Sequence, residues 1–427
     1  MNKPRKTNIL IFPGEAENAF ELFQALRYST RFAVWGASSR PGFGNLLFPR
    51  YRDDLPNIGD SDFLPVFNRF LAENEIALIF PTHDDVALYL AEHGESLNAG
   101  IIGSRRACAW LCREKKQLYA ALRDEPFCPL IHANPAEVDN WPVFVKPNKG
   151  QGGVGCFRVD NHNELTRVLA QTPDPLICEY LPGQELTVDC FTNRHGELLF
   201  AGPRSRDVVK MGVSFVSRTL PLTPAIEKIA TALNSLLKPR GLWFFQTKED
   251  AQGQARLMEA SCRAAGAMSV YRQLGVNFPL LAAYDALGMD VRILKNDMHL
   301  TLRRRLESRY IIDCSYRTVY VDYDDTLVVD DKVNTLLMQF LYTCLNQGKR
   351  LVMLSRHSGD LREDMRRFRI APELFDQIVH LPEGANKPDF IDDKNAIFID
   401  NLFCEREAVL RQTGIPVFDV DAVEALL

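Results

Sequence analysis

The sequence predicts a multidomain protein in which α/β segments at both ends enclose a stretch of α+β character. Three observations predict it. Short continuous apolar runs alternate with helical patterns over about the first hundred residues, Gly/Asn/Pro-broken runs of antiparallel type fill the middle, and clean strand-helix alternation resumes after about residue 315. At 427 residues the chain also exceeds the size at which a single hydrophobic core stops growing.

The elements follow in order. Ile9-Leu10-Ile11-Phe12, Phe32-Ala33-Val34-Trp35 and Ile76-Ala77-Leu78-Ile79-Phe80 are apolar runs separated by helices near Asn18 to Tyr28 and Phe63 to Ala72. Such runs predict a parallel sheet covered on both faces, joined by right-handed crossovers. Gly14 after the first run lacks the further glycines of a dinucleotide fingerprint. A helix over about Arg106 to Leu122 leads into short strands at Pro142 to Val145, Val154 to Arg158, Leu176 to Tyr180, Leu186 to Phe191, Leu198 to Ala201 and Trp243 to Thr247. Boundaries near residues 100 to 110 and 305 to 315 divide the chain into 1–108, 109–308 and 309–427, with no internal repeat or low-complexity tract.

Composition narrows the function classes. No stretch approaches the roughly 20 apolar residues a membrane helix needs, and Met1-Asn2-Lys3-Pro4-Arg5 does not open an export signal, so a cytoplasmic location is expected. The net charge of −5 gives no general attraction to nucleic acid, and the basic stretches Arg303 to Arg305 and Arg362 to Arg369 are local. Ten scattered cysteines, including Cys108 and Cys112 on one helix and Cys262 alone, read as mostly buried thiols rather than a disulfide framework.

Two constellations carry chemistry. In the first, the strand Val143 to Val145 ends in Lys146, followed by Asn148-Lys149-Gly150-Gln151-Gly152-Gly153-Val154-Gly155. Glycines let backbone N–H groups approach phosphates, and a strand-end lysine aims a point charge at phosphate oxygens. A glycine-rich hairpin turn is the alternative for this segment taken alone. The segment Leu176 to Glu185, extended and then turning, can offer backbone donor and acceptor groups to an adenine edge, and an acidic residue just beyond can accept ribose hydroxyls; a surface turn is the alternative for either feature taken alone. A turn centred near residue 252 places Gln246 opposite Glu259 on a hairpin, and Ser261 returns to the same face. These hard oxygen donors suit magnesium, and Arg263 can hold a transferring phosphoryl group.

Together these residues resemble the ATP-grasp superfamily, most closely its carbamoyl-phosphate-synthetase-like branch, over roughly residues 7 to 300. The resemblance rests on Lys146 to Gly155, on Glu179 to Glu185, on Gly241 to Gln246 and on Glu259-Ala260-Ser261-Cys262-Arg263-Ala264-Ala265-Gly266. It departs from the family pattern Glu-x-Asn-x-Arg-x-x-Gly at Ser261, where an asparagine metal ligand is expected. The resemblance implies an N-terminal α/β domain preceding a two-lobed ATP-binding domain. It places Lys115 or Lys116 near the phosphates, Lys146 on the α/β-phosphates, Gly152 and Gly153 in the phosphate loop, Glu179, Tyr180 and Leu181 at the adenine, Glu185 at the ribose, and Gln246, Glu259 and Ser261 on Mg2+, with Mn2+ as the other ion of this type. The implied chemistry is phosphorylation of a carboxylate to an acyl phosphate, which an amine or similar nucleophile attacks. Arg204 and Arg206 can face an anionic acceptor or be surface arginines.

In the second constellation, Asp322 and Asp324 stand two positions apart where the apolar run Thr318 to Val321 opens into a loop. One can attack phosphorus while the other protonates the leaving oxygen. Leu351 to Ser355 ends a strand in a hydroxyl, Lys387 can offset the gathered anions, and Ala396 to Asp400 ends another strand in a carboxylate, with Glu405 one helical turn beyond as support. In a parallel sheet these strand ends gather at one edge. The order resembles the haloacid-dehalogenase-like (HAD) phosphohydrolase superfamily over residues 315 to 427. That resemblance implies a Rossmann-like domain with Asp322 as nucleophile, Asp324 as acid/base, Thr326 and Ser355 as phosphate-positioning hydroxyls, Lys387 as charge stabiliser, and Asp322, Asp324 and Asp400 round the metal. Only about 25 residues separate Asp330 from Ser355, which leaves no room for a large cap.

The combined expectation is an ATP-dependent ligase joined to a magnesium-dependent phosphatase, acting on a small-molecule carboxylate, an amine or other nucleophile, and a phosphorylated small molecule. Two alternatives stay open: a small-molecule kinase paired with a phosphatase, and a non-catalytic ATP-binding module regulating an active phosphatase.

Overall fold

A computed structural model describes residues 5–150, 152–210 and 212–427. The opening Met1 to Pro4, and Gln151 of the glycine-rich run, lie outside the described residues. Two compact units divide the chain between Arg305 and Leu306.

The first unit begins with a five-stranded parallel sheet in the order Tyr51–Arg52, Phe32–Ala37, Thr7–Phe12, Ile76–Pro81, Gly100–Ile101. Its central strand is buried on both faces, which is why Ile9 to Phe12 is uniformly apolar rather than alternating. One hydrophobic cluster runs from Ile9, Ile11 and Phe80 to Phe244, Met268 and Phe278, so residues on either side of position 108 share a core.

Two antiparallel four-stranded sheets follow. One has the order Ile131–His132, Pro175–Glu179, Val143–Pro147, Phe157–Val159; the other Leu198–Ser205, Glu185–Thr192, Gly241–Glu249, Ala255–Ser261. A smaller sheet of Val208–Lys210, Val213–Arg218 and Thr301–Arg303 stands beside them. The long helix Pro224–Leu237 starts at Thr223, whose hydroxyl caps Ile226 N, with proline in the first turn where its missing N–H costs nothing. Its Ile226, Ile229, Ala230 and Leu233 pack with Trp243 and Phe245 of the second sheet.

The predicted single helix over 106–122 is two, Arg106–Arg113 and Lys115–Ala121, broken at Glu114 where ψ turns to 82°. The strand expected over 154–158 begins later, at Phe157, because Gly155 takes a left-handed φ of 72° and keeps the loop open.

The second unit is a five-stranded parallel sheet ordered Gln377–His380, Arg350–Ser355, Thr318–Val321, Ala396–Ile399, Val417–Phe418. Val319 and Val321 face Leu337, Phe340 and Met365, while Tyr320 turns to the other side with Leu354, Phe398 and Val409. Between the central strand and the helix Thr335–Asn346 stands only a two-stranded hairpin, Val328–Val329 and Lys332–Val333, so nothing of lid size is inserted there. Among the described residues no helix is long and apolar enough to cross a membrane.

Candidate functional sites

In the first unit, Lys146 leaves the end of its strand nearly buried and donates to Tyr119 Oη at 2.6 Å and to the Met258 carbonyl at 3.0 Å. Burial pushes the Tyr119 phenol up to about 12, so it stays neutral, accepting from the lysine and donating to the Met258 carbonyl. A cavity of about 460 Å³ opens beside Lys146, lined also by Lys115, Gly152, Gly153, Glu185, Arg206, Gln246 and Glu259. A narrower slot of about 50 Å³ shares Phe144, Lys146 and Met258 with it and adds Glu179, Tyr180 and Leu181.

The glycine loop is built for closeness. Gly152 and Gly153 have φ of 62° and 74°, and a Cβ on Gly212 would lie 2.6 Å from Gly152 O, so the two loops touch through bare backbone. Asn148 anchors the loop's base: its side chain accepts from Lys116 N and donates to Glu114 and Asp174. Lys115 Nζ donates to Gly150 O at 3.1 Å, and its ammonium is pulled below its ordinary value by burial, which the attraction of Glu259 only partly offsets. The neighbouring lysine goes elsewhere. Lys116 pairs with Asp174 and borders a separate depression of about 1,020 Å³ that gathers no set of carboxylates.

Gln246 stands directly opposite Glu259 in the hairpin register. With its amide oriented to satisfy both neighbours, it donates to Glu259 Oε1 at 3.2 Å and accepts from Arg206 Nη1 at 3.1 Å. Arg206 in turn lies 2.5 Å from Glu185 and donates to Gly212 O. The Glu179 carboxylate bends back to accept from Leu130 N at 2.9 Å, leaving Tyr180 between Arg158 and Lys248.

Three expected placements need correction. Ser261 does not converge with Gln246 and Glu259, because its hydroxyl donates to Asp84 Oδ1 at 2.6 Å. Arg263 is held by the same carboxylate, Nε and Nη2 lying 3.0 and 2.9 Å from Asp84 Oδ2, and stacks over Phe244. Arg204 is 1% exposed and paired with the fully buried Asp189, so it faces no acceptor. Asp84 was not singled out in the sequence, although it follows the carboxyl end of a parallel strand, where such sheets gather ligand-binding residues.

The second unit gathers its groups at one sheet edge. Asp322 and Asp400 end neighbouring strands, and Lys387 Nζ lies 2.6 Å from a carboxylate oxygen of each. Burial, together with the charge of Asp400, pushes Asp322 up to about 6 against the pull of Lys387. Burial also raises Asp400. Lys387 is pulled down by its own burial, but the two carboxylates outweigh that and hold it above its ordinary value. Thr326, fully buried, donates to Asp322 Oδ2 and accepts from Asn401 N.

Asp324 departs from the expected metal shell: its exposed carboxylate meets His357 Nδ1 at 2.9 Å and Ser355 Oγ at 3.4 Å, while Lys387 fills the space between the other two. Glu405 is paired with Arg356, and its charge also bears on Asp400. His357 is a neighbour of the site that the sequence reading missed.

Comparisons with known proteins bear on the first unit. Residues 112–227 match the model of the ATP-grasp domain, and residues 171–307 match that of the ATP-grasp in the biosynthetic pathway with Ter operon. Residues 112–307 form an ATP-grasp domain. The two antiparallel sheets are its lobes, and the Lys146 cavity is lined from both. Among solved structures, the biotin carboxylase domain of Hydrogenobacter thermophilus 2-oxoglutarate carboxylase, in complex with MgADP, ADP and bicarbonate, is similar at 14% identity and a TM-score of 0.58, over 69% of this chain and 73% of that one. L-amino acid ligase from Bacillus licheniformis is similar at 20% identity and 0.54, over 66% and 74%. N5-carboxyaminoimidazole synthetase from Staphylococcus aureus, complexed with ADP, is similar at 13% and 0.55, over 69% and 80%. At these identities the likeness is one of fold. A search of curated proteins found no match.

Proposed function

We propose that the chain is an ATP- and magnesium-dependent carboxylate-amine ligase, in residues 1–108 and 109–308, joined to a magnesium-dependent HAD-like phosphatase in residues 309–427. The observation that carries the ligase reading is the cavity where Lys146 and Lys115 face the Gln246–Glu259 pair across an open glycine loop. Two ammonium groups and the loop's backbone N–H groups suit a triphosphate, and the Glu259 carboxylate suits a hard cation, which the Gln246 amide would join by turning its oxygen away from Arg206. Magnesium bound there would offset phosphate charge.

In this reading a substrate carboxylate oxygen attacks the γ-phosphorus, ADP leaves, and an amine then displaces phosphate from the acyl carbon. Lys146 and Lys115 steady the triphosphate, Glu179, Tyr180 and Leu181 border the adenine slot, and Glu185 reaches the ribose. A slot of about 50 Å³ is too tight for a purine as it stands, so nucleotide entry requires its walls to part. The three fold relatives described above include a ligase and two nucleotide-bound enzymes, which supports ATP and magnesium here.

For the phosphatase, the supporting observation is the Asp322–Lys387–Asp400 cluster with Thr326 packed beneath. Asp322 attacks phosphorus to give an aspartyl phosphate, and Asp324 delivers a proton to the departing oxygen. Asp324 then takes a proton from the water that releases inorganic phosphate. Thr326 and Ser355 position the phosphoryl oxygens, and Lys387 offsets their charge. Magnesium held by Asp322 and Asp400 would add two further positive charges. The substrates are a small carboxylate, an amine or similar nucleophile, and a phosphorylated small molecule, all met in the cytoplasm.

Two substitutions assayed for both activities test the division of labour. Lys146→Ala should abolish nucleotide-dependent ligation and leave phosphatase turnover intact, and Asp322→Asn should do the reverse. Loss of both activities from either change would refute it. One observation favours a second reading, nucleotide binding without ligation: Asp84 holds both Ser261 and Arg263. ATP binding with no ADP release across a broad panel of carboxylates and amines would select it.

A further inference from the structure

We propose that Cys108, Cys112 and Cys262 form a buried three-sulfur site for a soft, thiophilic ion. Their Sγ atoms all lie within 4.8 Å of one another. Metal–sulfur bonds of about 2.3 Å set the sulfurs of one coordination shell roughly 4 Å apart, so loading the site needs only a small contraction. The helix Arg106–Arg113 supplies two of the ligands at i and i+4, one turn apart on a single face, and the third follows directly on the strand Ala255–Ser261.

The donor set selects the ion. No carboxylate or imidazole belongs to the cluster, and the nearby Asp84 is already engaged by Ser261 and Arg263, which excludes hard cations. Exposures of 2, 9 and 5% leave little room for a fourth ligand from solvent, which disfavours tetrahedral zinc. Burial also penalises residual charge: three thiolates round a monovalent ion leave two negative charges, whereas three round a trivalent centre leave none. Trivalent arsenic meets both demands. Arsenous acid and three thiols give a trithiolate and three waters, each thiol proton leaving with a hydroxide, with no change of oxidation state.

Such an ion would pin the helix that leads into Lys115 to the strand that carries Glu259, and both of these residues line the cavity beside Lys146. This inference does not rest on the ligase reading, since binding alone is measured.

The test uses the full chain, reduced with a phosphine, with arsenite as one probe and Cu(I) under anaerobic conditions as the other. Native mass spectrometry with arsenite should show a gain of one arsenic less three protons. X-ray absorption of the loaded wild type, with either probe, should show three sulfurs in one shell, and its melting temperature should rise. Cys262→Ala and Cys108→Ala should each lower stoichiometry from one to zero with circular dichroism unchanged, while Cys404→Ala, at an exposed thiol, should not. Failure of both ions to bind, a mixed oxygen-sulfur shell in the wild type, or undiminished loading of the folded variants would overturn the proposal. The wild-type spectrum decides the matter even where a variant fails to fold.

Discussion

Asp84 and Arg263 stand 179 positions apart in the chain, yet one carboxylate oxygen of the first accepts from two nitrogens of the second at 3.0 and 2.9 Å. The other oxygen takes the Ser261 hydroxyl. Burial works against the Asp84 charge, but Arg263 and Ser261 outweigh it and hold its carboxyl below the ordinary range. The residue that opens the helix Asp84–Glu92 thus restrains two groups that follow Glu259 in the chain.

Asp84→Asn weakens both contacts at once. Charge-assisted hydrogen bonds of this kind contribute about 1.5–3 kcal/mol each at most, and partial exposure reduces that, so a loss of about 2 kcal/mol in urea unfolding is expected. Acceptor-dependent ADP release should change by more than tenfold with little change in the KM for ATP. An unchanged rate would show that Asp84 only staples the fold.

Arg204 and Asp189 form a buried pair, so removing one partner strands a charge. Asp189→Ala should cost about 3–5 kcal/mol, and the double change Asp189→Leu with Arg204→Met considerably less. Burial raises the Asp189 carboxyl above its ordinary value despite Arg204. The folded state therefore keeps this proton to higher pH than the unfolded chain does. Stability should fall as pH rises from about 3.8 through the folded value. Asp189→Asn should flatten that part of the profile, which a pH series of denaturant melts would read.

Gly152 and Gly212 separate backbone strain from steric contact. Gly152→Ala meets open space and bears only the left-handed φ, an expected cost of about 1 kcal/mol. Gly212→Ala adds a 2.6 Å clash with Gly152 O and must move one loop. ATP affinity measured by calorimetry should drop further for Gly212→Ala, and equal losses would argue against loop contact as the cause.

Lys387→Met leaves Asp322 and Asp400 facing each other without their shared ammonium. The second unit should lose about 3 kcal/mol or more, together with all of the phosphatase turnover proposed for it. Saturating magnesium should raise its melting temperature more than it raises that of the wild type, because the cation then supplies the missing charge. Equal rises would place magnesium elsewhere.

Much of the architecture was legible locally. The parallel sheets announced themselves as uninterrupted apolar runs, since a strand covered on both faces has no polar side. The opposition of Gln246 and Glu259 followed from the position of one turn, because a hairpin's register is set where the chain reverses. Other choices had no local signal. Lys115 and Lys116 are adjacent on one helix, and only packing decides which is turned to the glycine loop. Arg204 lies inside its strand while Arg206 lies beyond its end, so the strand's alternation could not predict that one would be buried and the other would line the cavity.

Sequence alone determined which residue types end which strands: a lysine before glycines, paired aspartates after Val321, and an acidic and an amide group facing across a hairpin. These depend on dihedral preference and on periods of two or 3.6 residues, which reach only a few positions along the chain. Tertiary structure decided that Asp84 holds Arg263, that Lys387 bridges Asp322 and Asp400, and that Cys262 joins Cys108 and Cys112. Those meetings arise when separate elements bury their apolar faces against each other, and no spacing within one element records what lies across the interface.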